Sequence, residues 1–167
     1  MKKIIIYSHK NLQNIKKKTE NYDDEYDSKI IVEDENEHVI YNTDIVNVDS
    51  SNKYQDRKIE IAKGKYFGIV GSMKRQKKAI LIFNADTDIS KIETYQDLIN
   101  KHYNRLFLPT INQNPIHENR RVAVGIWIHD GGFNYDWSAG CITIRKDDYD
   151  SFIENFEMNE IIEIEKK

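Results

Sequence analysis

The sequence predicts an α+β fold built mainly on an antiparallel β-sheet or sandwich, with two helices. Three observations carry this. The first 83 residues read mostly as short runs rich in Ile, Val, Tyr and Phe, separated by polar turns, which is strand patterning. Only two later stretches, near 90–106 and 147–156, space their apolar residues at a helical period. Between and after them, runs alternate apolar and polar residues, as half-buried strands do.

In chain order, Ile4-Ile5-Ile6-Tyr7 is a first strand. "SKIIVED" and "EHVIYNT" are β-rich runs joined by Glu35-Asn36-Glu37, a hairpin signal, and "DIVNV" extends the second. "KIEIAKGKYFGIVGS" reads as two short strands broken at Gly64, and "KKAILIFN" follows another turn. Ser90-Lys91-Ile92-Glu93 has the form of a capping box. Behind it Ile92, Tyr95, Leu98, Ile99, His102, Tyr103 and Leu106 form a stripe that predicts a helix of about four turns, with His102 packed at its edge. "LFLPTINQNPIHENRR" holds both prolines and no period, which predicts a loop long enough to be a lid. "VAVGIWIH" and "CITIR" are strands. Asp147 or Asp148 can cap a second helix with Tyr149, Phe152, Ile153 and Phe156 on one face. "EIIEIE" is a final strand. No repeat, low-complexity tract or linker divides the chain, so the reading is one domain over 1–167.

The totals exclude several classes. With 25 basic and 28 acidic side chains, net −3, there is no general electrostatic reason to expect nucleic acid. Lys16-Lys17-Lys18 is offset by Asp23-Asp24-Glu25. One cysteine excludes an internal disulfide. No stretch approaches the ~20 apolar residues of a membrane helix, so no membrane span is expected. The basic start is followed by only Ile4 to Tyr7, short of the ~7–15 residues of a signal-peptide core. The expectation is synthesis in the cytoplasm without a recognisable signal peptide. Work outside the cell would need another route or a leader beyond the given sequence.

One stretch carries chemistry: "WIHDGGFNYDWSAGCITI", Trp127 to Ile144. It holds the single cysteine, Cys141, twelve residues after His129. Even positions Val122, Val124, Ile126, Ile128, Ile142 and Ile144 are apolar. Odd positions include Trp127, His129, Cys141, Thr143 and Arg145. Pairing the two strands as a hairpin around 130–140 puts His129 opposite Cys141, within reach of a thiol. A thiolate is the nucleophile and a histidine can take its proton. Asp130 can orient His129 through its carboxylate or main-chain carbonyl. Gly140 permits a tight turn, and the N–H groups of Gly140 and Cys141 form a candidate oxyanion hole. Gly131-Gly132 permit a turn after the histidine, and Phe133, Tyr135 and Trp137 can wall a substrate. The plainer reading, a lone cysteine as a small buried hydrophobe, stands beside this one. His9 and His38 read as solvated turn residues, and His117 lies in the lid segment. With Cys141 and His102 they are scattered without close zinc-type spacing, so no metal site is named.

"IHDGG…SAGCITI" resembles the signature of L,D-transpeptidase (YkuD-type) catalytic domains, a strand ending in His-Gly followed by Ser-x-Gly-Cys opening the next strand. "IIVEDENEHVIYNTDIVNV" looks like that family's early hairpin, and "IEIAKGKYFGI" is similar to its Pro-x-Gly-x-Phe/Tyr strand entry. The resemblance is strongest over 28–146, so 1–167 would be a single catalytic domain of this type. It implies that Cys141 is the acylated nucleophile, His129 its base and Asp130 the residue whose carbonyl orients the ring. Ser138 matches the motif Ser/Thr, and Gly140 and Cys141 match the oxyanion donors. The implied substrate is the peptidoglycan stem peptide. A Cys thioester would pass to an amine, a D-amino acid or water, with no cofactor. The His-to-Cys spacing is shorter than in crosslinking members and closer to compact relatives among secreted antibacterial effectors and phage-encoded proteins. An effector of that kind acts in the periplasm or cell wall and would be matched by an immunity protein. Two residues after the cysteine the family has Arg or Asn, and here stands Thr143. Arg145, or Arg120-Arg121 beside the lid, would then take the substrate carboxylate, with Trp137 and Tyr135 lining the site.

Two other readings remain open. Papain-like and NlpC-type hydrolases place the cysteine first, at a helix start, so their order does not fit; caspase-like enzymes share the His-then-Cys order but separate the two by ~50 residues, so their spacing does not. A wall- or partner-binding module that keeps the fold without the chemistry is the alternative.

Overall fold

The structure, a computed structural model, describes residues 1–10, 26–49, 58–73, 78–131 and 140–167. It is an α+β protein. Its strands are β1 (Lys3–Tyr7), β2 (Ser28–Glu33), β3 (Val39–Asn47), β4 (Gly64–Gly71), β5 (Ala79–Asn84), β6 (Phe107–Asn114), β7 (Arg120–Val124), β8 (Trp127–Asp130), β9 (Ile142–Ile144) and β10 (Ile161–Lys166). The two α-helices are α1 (Tyr95–Lys101) and α2 (Lys146–Ile153).

Eight strands close into a barrel in the order β1-β10-β4-β5-β8-β9-β3-β2, and β6 and β7 form a separate two-stranded sheet. The sheet is mainly antiparallel but mixed, because β1–β10 and β8–β9 run parallel. The expected open sheet or sandwich is therefore a closed one. Closure follows from the short first and last strands. Ile4 and Ile6 pair with Ile164 and Lys166 on one side and with Val32 and Ile30 on the other, which leaves β1 no free edge.

Alternation fills the barrel. Ile4, Ile6, Ile30, Val32, Ile80, Ile82, Ile128, Ile142, Ile144, Ile162 and Ile164 turn inward and are at most 1% exposed. Each such side chain contributes roughly 1.5–3 kcal/mol by leaving water. Tyr149 and Phe152 of α2, with Phe156 beyond it, join this core. A second cluster lies on the outer surface, where Leu98 of α1 and Leu106 pack on Ile69, Leu81 and Phe83.

Five expectations are corrected. The segment 107–121 is not a loop. β6 and β7 pair from Phe107↔Val124 to Asn114↔Arg120, and the turn between them is capped by Asn114, whose side chain accepts from the Ile116 N–H. "VAVGIWIH" is not one strand, because Gly125 at φ +70° breaks it. The face alternation flips there, so Ala123 enters the main core while Val124 packs on the outer cluster. The long helix near 90–106 is a short 3₁₀ turn at Ile89–Lys91, then α1, then a 3₁₀ turn at Tyr103–Leu106. Ser90 is not the cap, since its N–H and hydroxyl both go to Asp88 and Thr94 caps α1 through the Asp97 N–H. Neither Asp147 nor Asp148 caps α2: Arg145 is its N-cap residue, and both aspartates lie in the first turn.

Candidate active site

The β8–β9 pair sets the site. The hairpin expected here is not formed. The two strands are parallel, with Ile128↔Ile142, His129↔Thr143 and Asp130↔Ile144. His129 therefore faces Thr143, and Cys141 falls two positions earlier, level with Trp127. The 11 residues between Asp130 and Ile142 make this connection, at the short limit of the dozen or more that a parallel crossover usually takes. The ladder continues past the strand end through the Gly131 N–H to the Ile144 carbonyl at 2.8 Å.

The expected separation of faces holds at these residues. Ile126, Ile128, Ile142 and Ile144 are fully buried in the barrel core. Trp127, His129, Cys141 and Thr143 take the outer face. Strand spacing and rise put the Cα atoms of His129 and Cys141 about 8 Å apart along a diagonal. The outer face is dry here, with Cys141 0%, His129 4% and Thr143 5% exposed.

The histidine has a defined tautomer. Its Nδ1 lies 2.9 Å from the main-chain carbonyl of Asp130. A carbonyl only accepts, so Nδ1 carries the hydrogen and Nε2 carries the lone pair. Of the two routes by which Asp130 could orient the ring, the geometry uses the backbone one. Burial pushes the His129 pKa down to about 4, against the smaller opposing effect of the Asp130 hydrogen bond. The ring is therefore neutral near pH 7.

The sulfur has backbone neighbours. The Trp127 N–H points at Cys141 Sγ at 3.4 Å, and the Gly125 carbonyl lies 3.9 Å away. An N–H aimed at sulfur favours negative charge there. Gly140 precedes the cysteine at φ +97°, and a Cβ on it would come within 3.1 Å of Ile59 and 3.2 Å of Ile126. Only glycine fits that approach without displacing core side chains.

Other expected contributors fall in different places. Thr143 Oγ1 is buried with no hydrogen-bond partner among the described residues. Arg145 does not face the site freely, because its Nε holds Asp147 at 2.7 Å. Arg120 and Arg121 are exposed on β7, and Arg120 Nε bonds the His117 carbonyl. Gly132, Phe133, Tyr135, Trp137 and Ser138 lie outside the described residues, as do Lys16-Lys17-Lys18 and Asp23-Asp24-Glu25.

A groove of about 420 Å³ opens between the β6–β7 sheet and the outer face of β8, with Leu106, Ile116, His117, Ala123, Gly125 and Trp127 among its walls. Two of its wall residues, Gly125 and Trp127, also contact the buried Cys141 sulfur through backbone groups. A second groove, of about 280 Å³, lies along β1, β10 and β4 and shares none of these residues.

Sequence reasoning missed one cluster. His9 is not simply solvated: its ring bridges Asp27 at 2.7 Å and Glu60 at 2.8 Å. Lys166, with a fully buried side chain, donates to the other Glu60 oxygen at 2.6 Å. His9, Asp49 and Glu60 bring their ligand-type atoms within 4.8 Å of one another. Because His9 and Lys166 already supply the cations, this is an ion-pair network. The only sequence signal was parity: Lys166 takes an inward position on β10, where the pattern calls for an apolar residue.

No family model matches the chain, and neither the curated proteins nor the solved structures contain a match.

Proposed function

We propose that the protein is a cysteine acyl-transferase or hydrolase of the L,D-transpeptidase type, acting on peptidoglycan stem peptides. The observation that carries this reading is that a tautomer-fixed, neutral His129 and Cys141 share one face of adjacent strands, diagonally placed. An imidazole and a thiol are together long enough to close the diagonal between their backbones.

The chemistry follows. His129 Nε2 takes the thiol proton as Sγ attacks the substrate carbonyl, and the C–S bond forms. The oxyanion is held by backbone N–H groups around Gly140 and Cys141. His129 returns the proton to the leaving amine as the C–N bond breaks, which leaves a thioester. An amine or water then attacks, and the thiol is restored. The groove that Gly125 and Trp127 help to line is the approach for the peptide. With Thr143 at the position that carries Arg or Asn in the family, substrate recognition there rests on a neutral hydroxyl. The place of action is the periplasm or cell wall, as an effector or phage-type enzyme.

The complete burial of the Cys141 sulfur favours a second reading, a wall-binding module that keeps the fold without turnover. One experiment decides between them. Protein is incubated with defined tetrapeptide muropeptides and excess free D-amino acid, and the masses are read, with Cys141→Ala as control. Cys141-dependent loss or exchange of the terminal residue, or a crosslinked dimer, is the expected result. Unchanged masses from folded protein would leave the binding module.

A further inference from the structure

The ion-pair network takes no part in thiol chemistry, yet it borders both segments that hold the site. The His9 ring spans Asp27 Oδ2 and Glu60 Oε1. Both partners are carboxylates that accept, so both ring nitrogens donate, and the bridge requires an imidazolium. Next to Asp27 is Tyr26, 1% exposed. Its hydroxyl lies over Gly131 so closely that a Cβ there would come within 2.1 Å. Gly131 follows Asp130, whose carbonyl orients His129. Next to Glu60 is Ile59, fully buried, which packs on Gly140 directly before Cys141. One ring thus ties together the two supports, one under the base and one under the nucleophile.

We propose that His9 is a positioning residue of the Cys141–His129 site: by bridging Asp27 and Glu60 it fixes Tyr26 over Gly131 and Ile59 against Gly140. The proposal rests on the reading that Cys141 and His129 act as a pair. The register supports a short path, since Ser28, beside Asp27, lies in one row with Val46, Ile144 and Asp130.

The bridge is sensitive to pH. A neutral ring has one donor, so its other nitrogen would face a carboxylate lone pair to lone pair, and that contact opens. Among the described residues, His9 faces Asp27 and Ser28 where β2 begins, Asp49 after β3 and Glu60 before β4; Lys58 acts on Asp49, and Lys166 of β10, with Lys63 close to it, acts on Glu60. Lys166 keeps its hold on Glu60, and the Ser28 hydroxyl keeps Asp27 at 2.9 Å. Loss of the proton therefore releases the tie between the two carboxylates and leaves each one anchored. Burial opposes the charged ring, but the hydrogen bonds and charges of Asp27 and Glu60 together outweigh it and raise the His9 pKa above its ordinary 6.5.

The test is an NMR titration of the whole protein across pH about 5.5 to 9.5, a range that brackets histidine ionisation. The Gly131 and Gly140 amide resonances are expected to move with the midpoint of the His9 ring. In His9→Arg, which keeps the charge and the donors, they stay at their low-pH positions, and in His9→Gln they do not titrate. The kcat of the Cys141-dependent reaction falls about tenfold or more through the same midpoint with KM little changed, as expected for misplaced reacting groups, and His9→Arg removes the fall. Glycine amides that ignore the His9 midpoint in the wild type would overturn the proposal without needing any variant to fold, as would a rate that passes through it unchanged. Amides that follow His9 in a protein with no turnover at any pH would uphold the clamp and sink the proposed reaction instead.

Discussion

Thr143 stands directly across from His129 in the parallel β8–β9 register, with its hydroxyl buried and without a hydrogen-bond partner among the described residues. A buried hydroxyl left unsatisfied costs roughly 1–3 kcal/mol. Such a cost at a site is expected where the group meets its partner only in the bound complex.

Thr143→Val keeps the shape and removes the hydroxyl. Its unfolding free energy in denaturant is expected to rise by about 1 kcal/mol, while kcat/KM for the muropeptide falls by about tenfold, the loss of one modest hydrogen bond. A variant that gains stability with unchanged kinetics would take Thr143 out of substrate recognition.

The Asp130 carbonyl, not its carboxylate, fixes the His129 ring. Asp130→Asn is therefore expected to retain activity within about threefold, since the backbone acceptor survives. His129→Gln is expected to lose at least the ~10²–10⁴-fold that a positioned base contributes. Steady-state rates on one muropeptide compare the two. A collapse in Asp130→Asn equal to that of His129→Gln would show that the carboxylate does the orienting.

The inner face of the site was legible in the sequence and its pairing was not. Alternation of Ile126, Ile128, Ile142 and Ile144 gives the buried face whichever way the strands run, because period two does not depend on direction. The choice between a hairpin and a parallel crossover depends on which strands flank β8 and β9, and those are β5 and β3, distant in sequence. The 107–121 segment shows the same limit. Its prolines and polar residues read as a loop, yet pairing with β7 makes it a strand, with Pro109 opposite Val122. The His9 network was invisible for a related reason, since its members come from five separate segments that only barrel closure brings together.

Acid stability carries the sign of the two histidines. The folded His129 pKa is lowered to about 4 from an ordinary 6.5. Between those values the unfolded chain binds the proton and the native state does not, so stability falls as pH drops through this window. The total from this group is about 3 kcal/mol. His9 works in the opposite direction: its raised pKa favours the fold below 6.5, and that contribution is lost as pH climbs through the folded value. Denaturant unfolding at a series of pH values is expected to show a shallower acid loss for His129→Gln, and a smaller loss on the alkaline side for His9→Gln. Identical pH slopes in His129→Gln and wild type would mean that His129 is not held neutral.

Gly140 and Gly125 separate backbone strain from packing. Both have positive φ, +97° and +70°. An alanine in such a conformation costs roughly 1–2 kcal/mol. At Gly125 a Cβ meets nothing within 4 Å, so Gly125→Ala is expected to cost only that amount. At Gly140 it also presses on Ile59 and Ile126 at 3.1 and 3.2 Å, and overpacking of this kind adds roughly 1–3 kcal/mol. Gly140→Ala should therefore be the less stable of the two in denaturant unfolding. It should also be the less active, because relief of the clash moves the residue directly before Cys141. Equal stability losses would mean that Ile59 yields freely, and would remove the rigid support that Gly140 is argued to receive.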